Sequence, residues 1–177
     1  AVAQRTAELE EKNKQLERLS TTDRLTGLFN RLHLDRVLAQ EWARFQRQQT
    51  PFSLILLDID AFKVVNDTYG HQVGDSVLVE VARVMELHVR SSDVVGRWGG
   101  EEFLVVCIDT DLDQALTVAE KLRVALAAQP IAVTGPKTGS FGVSVASGCD
   151  SVQALVSRAD EALYRAKNAG RNRVEKG

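Results

Sequence analysis

Residues 52–59, with the sequence FSLILLDI, form an apolar run that ends beside two carboxylates, Asp58 and Asp60. A short run that is apolar at successive positions is typical of a central β-strand buried on both faces. Carboxylates at the end of such a strand are costly to bury without a partner. The run therefore predicts either side chains that cap the following helix or oxygen ligands for a divalent cation.

The order of the other segments constrains the fold class. Helical periodicity alternates with short apolar runs, and Gly99-Gly100 between two such runs is typical of a hairpin with a two-residue turn. This mixed order predicts an α+β fold with helices packed on a central, mostly antiparallel sheet. The predicted helices are residues 1–20, 31–49, 76–89, 112–128 and 151–168, and the predicted strands are residues 52–59, 93–98, 101–107, 131–135, 140–147 and 171–176.

Two glutamates, Glu101 and Glu102, directly follow the glycine pair, where a hairpin selected for stability favours Asn or Asp. Successive strand side chains face opposite ways, so either the two glutamates have different roles or Glu101 belongs to the turn. If the hairpin lies beside the strand at 52–59, its tip brings these acids near Asp58. Such a cluster, with no base nearby in sequence, predicts divalent metal ions.

Residues 1–20 predict a helix with a thin heptad seam. Val2, Leu9 and Leu16 recur every seven residues, and Asn13 occupies the complementary position. A polar residue there favours a two-stranded parallel coiled coil that pairs two copies of the chain. The alternative is a single solvated helix. Because the sequence starts within this helical pattern, we expect it to be part of a longer protein.

Overall charge and cysteine content exclude several classes of protein. The 177 residues contain 22 Lys and Arg against 24 Asp and Glu, so a net charge of −2 gives no field for nucleic acid or an anionic membrane. No apolar run reaches the roughly 18 residues that span a bilayer. Cys107 and Cys149 form no metal-binding pattern, which excludes a zinc module and argues against a disulfide framework. We expect a cytoplasmic domain.

The letters GGEEF at residues 99–103 resemble the signature of the GGDEF domain family, the diguanylate cyclases of bacteria. The resemblance extends over residues 20–177. It implies an adenylyl-cyclase or polymerase-palm-like fold at residues 21–177, preceded by an N-terminal signalling helix at residues 1–20. Three further family motifs are resembled by residues 23–31 (DRLTGLFNR), by residues 58–67 (DIDAFKVVND) with Gly70-His71 and Gly74-Asp75, and by residues 166–172 (AKNAGRN).

The resemblance implies an enzyme that condenses two GTP into cyclic di-GMP and releases two pyrophosphates. Each domain would hold one GTP, so two domains must face each other as a homodimer. Two Mg²⁺ ions per active site are implied, with Mn²⁺ as a substitute. The implied setting is the output domain of a larger sensor, in which any membrane anchor lies outside this chain. The alternative is a catalytically silent module that senses cyclic di-GMP or GTP.

The resemblance also assigns catalytic roles. Glu101 would accept the proton of the ribose 3′-hydroxyl, and Lys63 would neutralise charge in the transition state. An ordinary exposed lysine is the alternative for Lys63. The implied metal ligands are Asp58, the backbone carbonyl of Ile59, Glu101 and Glu102.

The implied substrate contacts divide between phosphate and guanine. The amides of Ala61 and Phe62 with the amine of Lys63 would bind the β and γ phosphates at a helix start. Lys167 and Arg171 would bind the terminal phosphates, although basic residues at a helix end also compensate the helix dipole. The implied guanine contacts are Asn66 and Asp75, and His71 would line the pocket unless its role is structural.

Residues 90–93 (RSSD) resemble the family's inhibitory RxxD motif at the family's spacing from the signature. Arg90 and Asp93 would bind cyclic di-GMP as product and inhibitor. Elsewhere in a sequence the same letters indicate only a surface ion pair. Lys121 stands where a second arginine is often found, and lysine cannot make the planar bidentate contact of arginine.

Overall fold

The computed structural model describes residues 1–148 and 150–177, with residues 17–19 described as helix without their side chains. The expectation for Cys149 lies outside the described residues. Within them, the chain forms six helices and five strands. In chain order these are α1 (Val2–Leu19), α2 (Arg31–Gln48), β1 (Ser53–Ile59), α3 (Phe62–Tyr69), α4 (His71–His88), β2 (Val94–Arg97), β3 (Glu102–Cys107), α5 (Leu112–Ala128), β4 (Gly139–Val145), α6 (Val152–Asn168) and β5 (Arg173–Lys176).

The five strands form one sheet in the order β2-β3-β1-β4-β5. β1 lies at the centre and pairs antiparallel with both β3 and β4. β2 is antiparallel to β3, and only β5 runs parallel to its neighbour, β4. The predicted α+β fold with a mostly antiparallel sheet is therefore confirmed, and β1 is buried along its whole length as its apolar run predicts.

Alternate residues of β1 face two separate hydrophobic layers. Ile55, Leu57 and Ile59 pack with α3, α4 and α5, whereas Leu54 and Leu56 pack with α2 and α6 on the opposite face. This period of two follows from the pleat of the strand. The same alternation places the side chain of Asp58 on the face covered by α6.

Helix α6 lies unusually close to the sheet. A Cβ atom at Gly142 in β4 would lie 2.0 Å from the carbonyl oxygen of Ala159 and 2.5 Å from the amide nitrogen of Leu163. Both atoms belong to the helix backbone, which cannot move aside as a side chain can. The glycine therefore sets the depth at which α6, and the basic residues at its end, approach the sheet.

The predicted strand at residues 131–135 is wrong. The amide of Gly135 donates to the carbonyl of Ile131 at 3.0 Å and closes a turn, and Val133 is 70% exposed with a left-handed φ of 71°. Pro130 and Pro136 flank the segment, and neither offers an amide donor for sheet pairing. Apolar letters alone therefore do not make this segment a strand.

One helix was not predicted, and another starts earlier than predicted. α3 occupies residues that carry no regular element in the predicted order, and α4 begins at His71 instead of residue 76. Gly70 separates the two helices with a φ of 88°. Such a conformation is open to glycine, so the chain can end one helix and start the next without a loop.

Helix α1 is confirmed as a helix, and the described side chains of residues 1–16 are all exposed. The seam residues Val2, Leu9 and Leu16 are 81%, 62% and 64% exposed. Pairing of this seam in a coiled coil stays a prediction. Across the described part of the chain, no helix is both long and apolar enough to cross a membrane.

Candidate active site

Strands β1 and β3 bring two predicted carboxylates side by side. In the antiparallel register Asp58 lies opposite Glu102, and the amide of Ile59 donates to the carbonyl of Glu101 at 3.3 Å. Side chains directly opposite each other on neighbouring strands share one face of the sheet. The hairpin therefore lies beside Asp58, as expected, and both carboxylates are on the face covered by α6.

The hairpin turn is longer than predicted. Residues 98–101 separate β2 from β3, so the turn has four residues and not two. The amides of Trp98 and Gly99 both donate to the carbonyl of Glu102, at 2.8 and 3.2 Å, and this shared acceptor widens the turn. Glu101 therefore belongs to the turn and not to the strand. Its side chain does not have to point to the face opposite that of Glu102.

The end of α6 supplies a countercharge. Nζ of Lys167 lies 2.7 Å from Oδ2 of Asp58, which is only 6% exposed. Burial raises the pKa of Asp58, and the Lys167 ammonium opposes that shift. Burial also raises the pKa of Glu101 and of Glu102, and the nearby Asp58 charge adds to both shifts. The three acids thus form one electrostatic group that favours a cation.

Asp60 differs from Asp58, although both follow the same strand. Its carboxylate accepts hydrogen bonds from Thr138 Oγ1 at 2.7 Å, Ser140 Oγ at 2.6 Å and the amide of Asn172 at 3.0 Å. Neither carboxylate caps α3, because the N-cap residue of that helix is Ala61 and it has no side-chain cap. The helix-capping alternative is therefore wrong, and Asp60 is occupied by protein donors.

A small cleft opens at the start of α3. Ala61 adopts a left-handed φ of 55° and turns the chain from β1 into the helix. Among the described residues, the amides of Ala61, Phe62 and Lys63 find no hydrogen-bond acceptor. Open amides at a helix N-terminus attract anions. The cleft has a volume of about 160 Å³, and we call it the carboxylate cleft; it is lined by Asp58, Ile59, Asp60, Ala61, Phe62, Lys63, Glu101, Lys167 and Arg171.

The two predicted guanine contacts lie at the junction of α3 and α4. The side chain of Asn66 rests on Gly74, where a Cβ atom would lie 2.0 Å from Asn66 Oδ1. Gly74 thus leaves room for the Asn66 side chain against α4, and Asp75 is exposed on the next residue of that helix. A cleft of about 660 Å³ is lined by Asp75 and also by Leu25, a residue that sequence reasoning missed. His71 is the exposed first residue of α4 and lines neither cleft.

A further pair that sequence reasoning missed supports the hairpin turn. The guanidinium of Arg97 donates to the carbonyls of Gly99 and Gly100, at 3.2 and 2.8 Å, and forms an ion pair with Asp23 at 3.3 Å. Asp23 in turn accepts from the amide and hydroxyl of Thr26. Asp23, in the motif at residues 23–31, is therefore linked through Arg97 to the turn that carries Glu101. The only sign of this link in the sequence was the charge of Asp23 and Arg97.

Arg90 and Asp93 contact each other in the structure. Arg90 Nη2 lies 3.2 Å from Asp93 Oδ1, and the Asp93 side chain is fully buried while that of Arg90 is half exposed. The amides of Arg90 and Ile108 also donate to the Asp93 carboxylate, each at 3.3 Å. The RxxD motif is thus a closed pair whose carboxylate already has donors.

Lys121 is not part of that pair. It is exposed on α5, and the contacts described for Arg90 and Asp93 do not include it. Arg123, two residues further, pairs instead with Glu120 at 2.5 Å and donates to Asn172 Oδ1 at 3.0 Å. Lys121 therefore makes no described contact with the predicted inhibitory residues, and Arg123 contacts the turn after α6 at Asn172.

Among the side chains that the structure describes, no three of His, Cys, Asp or Glu are arranged to hold a metal ion. The donors present are nevertheless hard oxygens, which suit Mg²⁺. Lys167 pairs with the carboxylate of Asp58, so a metal ion at this position would have to replace that contact.

Comparison with known proteins identifies the family of the chain. The GGDEF family, described as diguanylate cyclase, GGDEF domain, matches residues 20–173. The diguanylate cyclase DgcM of Escherichia coli K12 is 44% identical over 161 residues, which cover 91% of this chain and 39% of DgcM. The response regulator PleD of Caulobacter vibrioides is 43% identical over 162 residues, covering 88% of this chain and 36% of PleD. The chain thus spans about two fifths of the length of these relatives.

Solved structures agree in fold. The coiled coil and GGDEF domain of DgcB from Caulobacter crescentus, in complex with c-di-GMP, is 34% identical with a TM-score of 0.85, covering 99% of this chain and 97% of that one. The diguanylate cyclase SiaD from Pseudomonas aeruginosa, in complex with its activator SiaC, is 39% identical with a TM-score of 0.86, covering 99% of this chain and 69% of that one. With its GGEEF turn beside Asp58, the chain belongs to the GGDEF domain family of diguanylate cyclases.

Proposed function

We propose that this chain condenses two GTP molecules into cyclic di-GMP and releases two pyrophosphates. The observation that carries the proposal is the carboxylate cleft, where the start of α3, the cations Lys167 and Arg171, and the acids Asp58 and Glu101 line one cavity. The helix start and the two cations suit the binding of phosphates, and the two acids suit the activation of a hydroxyl group. The name of DgcM and the ligand of the DgcB structure support the same reaction.

The residues of the cleft fit a hard divalent cation, Mg²⁺ or its substitute Mn²⁺. Burial raises the pKa of Asp58, Glu101 and Glu102, and Lys167 already pairs with Asp58, so a cation is favoured there. We assign two ions to these three carboxylates and the carbonyl oxygen of Ile59. Such ions would lower the pKa of an attacking hydroxyl and neutralise the triphosphate.

The chemistry needs a base, a held nucleophile and a held leaving group. Glu101 projects from the turn and accepts the proton of the ribose 3′-hydroxyl. The resulting oxygen attacks the α-phosphate of the GTP on the facing copy, so one P–O bond forms and the bond to the pyrophosphate breaks. The amides of Ala61 and Phe62, with Lys63, Lys167 and Arg171, bind the leaving phosphates. Lys63 also offsets charge that develops in the transition state.

Base selection is assigned to Asn66 and Asp75. A carboxylate accepts from the N1–H and 2-amino group of guanine, and the amide of Asn66 bonds to another edge of the ring. Adenine lacks the 2-amino donor and would leave the carboxylate without a partner. His71 lines neither cleft, and we assign it to the margin of the guanine site because it begins α4, the helix that carries Asp75.

Turnover of GTP is the first test of this function. Purified protein with GTP and Mg²⁺ should form cyclic di-GMP and pyrophosphate, separated by chromatography. Glu101→Gln should bind GTP but turn over about 10² to 10⁴ times more slowly, because it cannot take a proton. Glu161→Gln, an exposed change on α6, is the matched control. Full activity in Glu101→Gln would contradict the base, and binding of cyclic di-GMP without any turnover would favour the sensing alternative.

Pairing of two copies is assigned to α1. Its apolar seam is exposed in the single chain, and burial of the seam against a second copy would remove it from water. Leu9→Asn with Leu16→Asn should weaken dimerisation, measured by ultracentrifugation, and lower specific activity at micromolar protein. Ala7→Asn lies off the seam and serves as control. Specific activity that is independent of protein concentration would overturn this assignment.

Product inhibition is assigned to Arg90 and Asp93. A cavity of about 350 Å³ beside them is lined in part by both residues. Because Arg90 covers the Asp93 carboxylate, a cyclic dinucleotide must displace that ion pair before guanine can donate to Asp93. Lys121 would join only if the ligand bridged to α5. Isothermal titration with cyclic di-GMP tests the site, and undiminished binding by Asp93→Asn would contradict it.

A further inference from the structure

We propose that Asp60 is a positioning residue for phosphate binding, which holds the turn between α6 and β5 in the conformation that presents Arg171 to the carboxylate cleft. The proposal rests on the proposed cyclase function and deepens it. Asp60 stands two residues from Asp58 and has the same charge, but its oxygens are directed to protein donors and not to a ligand.

The turn that carries Arg171 has an unfavourable backbone. Gly170, Arg171 and Asn172 have φ angles of 119°, 62° and 45°. Two consecutive non-glycine residues in the left-handed region are unfavourable, more so for arginine than for asparagine. Such a conformation persists only where its surroundings hold it. Without that support, the turn would relax and Arg171, itself exposed, would leave the cleft that it lines.

Asp60 holds the turn from the inside. Its Oδ2 accepts the amide of Asn172 at 3.0 Å, directly after Arg171. The hydroxyl groups of Thr138 and Ser140 donate hydrogen bonds to the same carboxylate, at 2.7 and 2.6 Å, and fix its orientation. Asp60 is 8% exposed, and a buried carboxylate needs these donors. Removal of its charge therefore weakens the hold on the amide of Asn172.

Arg123 holds the same turn from the outside. Its Nη1 donates to Oδ1 of Asn172 at 3.0 Å, while Glu120 fixes the guanidinium at 2.5 Å. Asn172 is thus held at its backbone by Asp60 and at its side chain by Arg123. Neither Arg123 nor Asn172 lines the carboxylate cleft, so any effect of Arg123 on phosphates acts through the turn.

The test compares a triphosphate with a monophosphate. Isothermal titration measures binding of a non-hydrolysable GTP analogue and of GMP to the wild type, Asp60→Asn and Arg123→Ala. If the turn presents Arg171, Asp60→Asn should bind the analogue about tenfold more weakly, which is the loss of one charge-assisted contact, and GMP almost unchanged. Arg123→Ala should lose about threefold in the same direction. Equal losses for both ligands would overturn the proposal.

A double-mutant cycle decides whether the effect passes through Arg171. In an Arg171→Ala background, Asp60→Asn should cause no further loss of analogue binding. Additive losses would overturn the proposal. Asp150→Asn is the control: like Asp60, this carboxylate accepts from a backbone amide, but its other partner is an arginine and it lies beyond the far end of β4. It should destabilise the fold without changing the ratio of the two affinities.

The same measurements separate this proposal from the proposed function. If the wild type binds the analogue and turns GTP over while the variants keep its affinity ratio, only the positioning role is wrong. If the folded wild type binds neither nucleotide, the cyclase function fails and the positioning role fails with it. If Asp60→Asn does not fold by circular dichroism, Arg123→Ala, a change of a partly buried side chain that contacts the same Asn172, decides whether the turn presents Arg171.

Discussion

The ammonium group of Lys167 lies 2.7 Å from a carboxylate oxygen of Asp58, so the last turn of α6 supplies the countercharge for the end of the central strand. Asp58 is buried, whereas the Lys167 side chain is 36% exposed. The lysine can therefore swing away into solvent, but the carboxylate cannot. A metal ion that binds Asp58 must therefore displace Lys167 from this ion pair. The displaced ammonium group is then available to bind a phosphate.

Lys167→Met should separate the role of Lys167 as the countercharge of Asp58 from its role in phosphate binding. Loss of the ammonium leaves a buried carboxylate without its partner and should lower the free energy of unfolding by about 1–2 kcal/mol, because the pair is partly screened. Mg²⁺ should bind more tightly in the absence of nucleotide, while GTP binds roughly tenfold more weakly. Urea unfolding and titration measure these effects. Lys12→Met on α1 is the control, and weaker Mg²⁺ binding would contradict the competition.

Gly74→Ala should weaken the choice of guanine. An alanine inside a helix normally stabilises it by about 0.4–1 kcal/mol. Here the added Cβ would displace the Asn66 side chain, since it would lie 2.0 Å from its oxygen. We expect several-fold weaker GTP binding and a smaller ratio of GTP to ATP affinity. Gly148→Ala, where a Cβ meets no atom within 4 Å, should leave both affinities unchanged.

Asp23→Asn should reduce stability in a pH-dependent way. Burial alone would raise the pKa of Asp23, but hydrogen bonds from Thr26 and the Arg97 guanidinium outweigh it and hold the pKa below 3.8. A depressed carboxylate pKa stabilises the fold above the unfolded value and ceases to do so as pH falls through the folded value. The difference from wild type should be about 1 kcal/mol at pH 7 and vanish well below pH 3.8.

Urea unfolding at several pH values measures this difference. Asp67→Asn, an exposed change on α3, should show no comparable loss at neutral pH. The same Asp23 variant should also lower turnover, because Arg97 holds the carbonyls of Gly99 and Gly100 in the turn beside Glu101. A stability difference that stays constant from pH 7 to pH 2 would mean that the Asp23 charge is not the source.

Arg90→Ala should affect stability as well as inhibition. Asp93 is fully buried and would keep two backbone donors but lose its countercharge. We expect a loss of about 1 kcal/mol in unfolding free energy together with loss of inhibition by cyclic di-GMP. Arg90→Lys keeps the charge and should recover stability more than inhibition, since lysine lacks the planar contact. Equal recovery of both would argue against a specific role for the guanidinium.

Much of the fold could be predicted from local pattern. The run at 52–59 became the buried strand β1, and the α+β class followed from the order of segments. Predictions were wrong where residues with a preference for strands had no neighbouring strand to pair with or core to pack against. Residues 131–135 have strand-like letters, but flanking prolines and only one buried residue, Ile131, leave them as a turn. The four-residue hairpin turn depended on a carbonyl shared by two amides, which no spacing rule reveals.

The sequence by itself determined which chemistry was available: carboxylates at the end of a buried strand, acids after a glycine pair, and basic residues at the end of the last helix. Only the tertiary structure decided how these groups were used. Asp58 and Asp60 have the same local setting, yet Asp60 is satisfied by Thr138, Ser140 and Asn172, which lie 78, 80 and 112 positions away. Hydrogen bonds and burial depend on distance in space, and the chain order alone does not contain that distance.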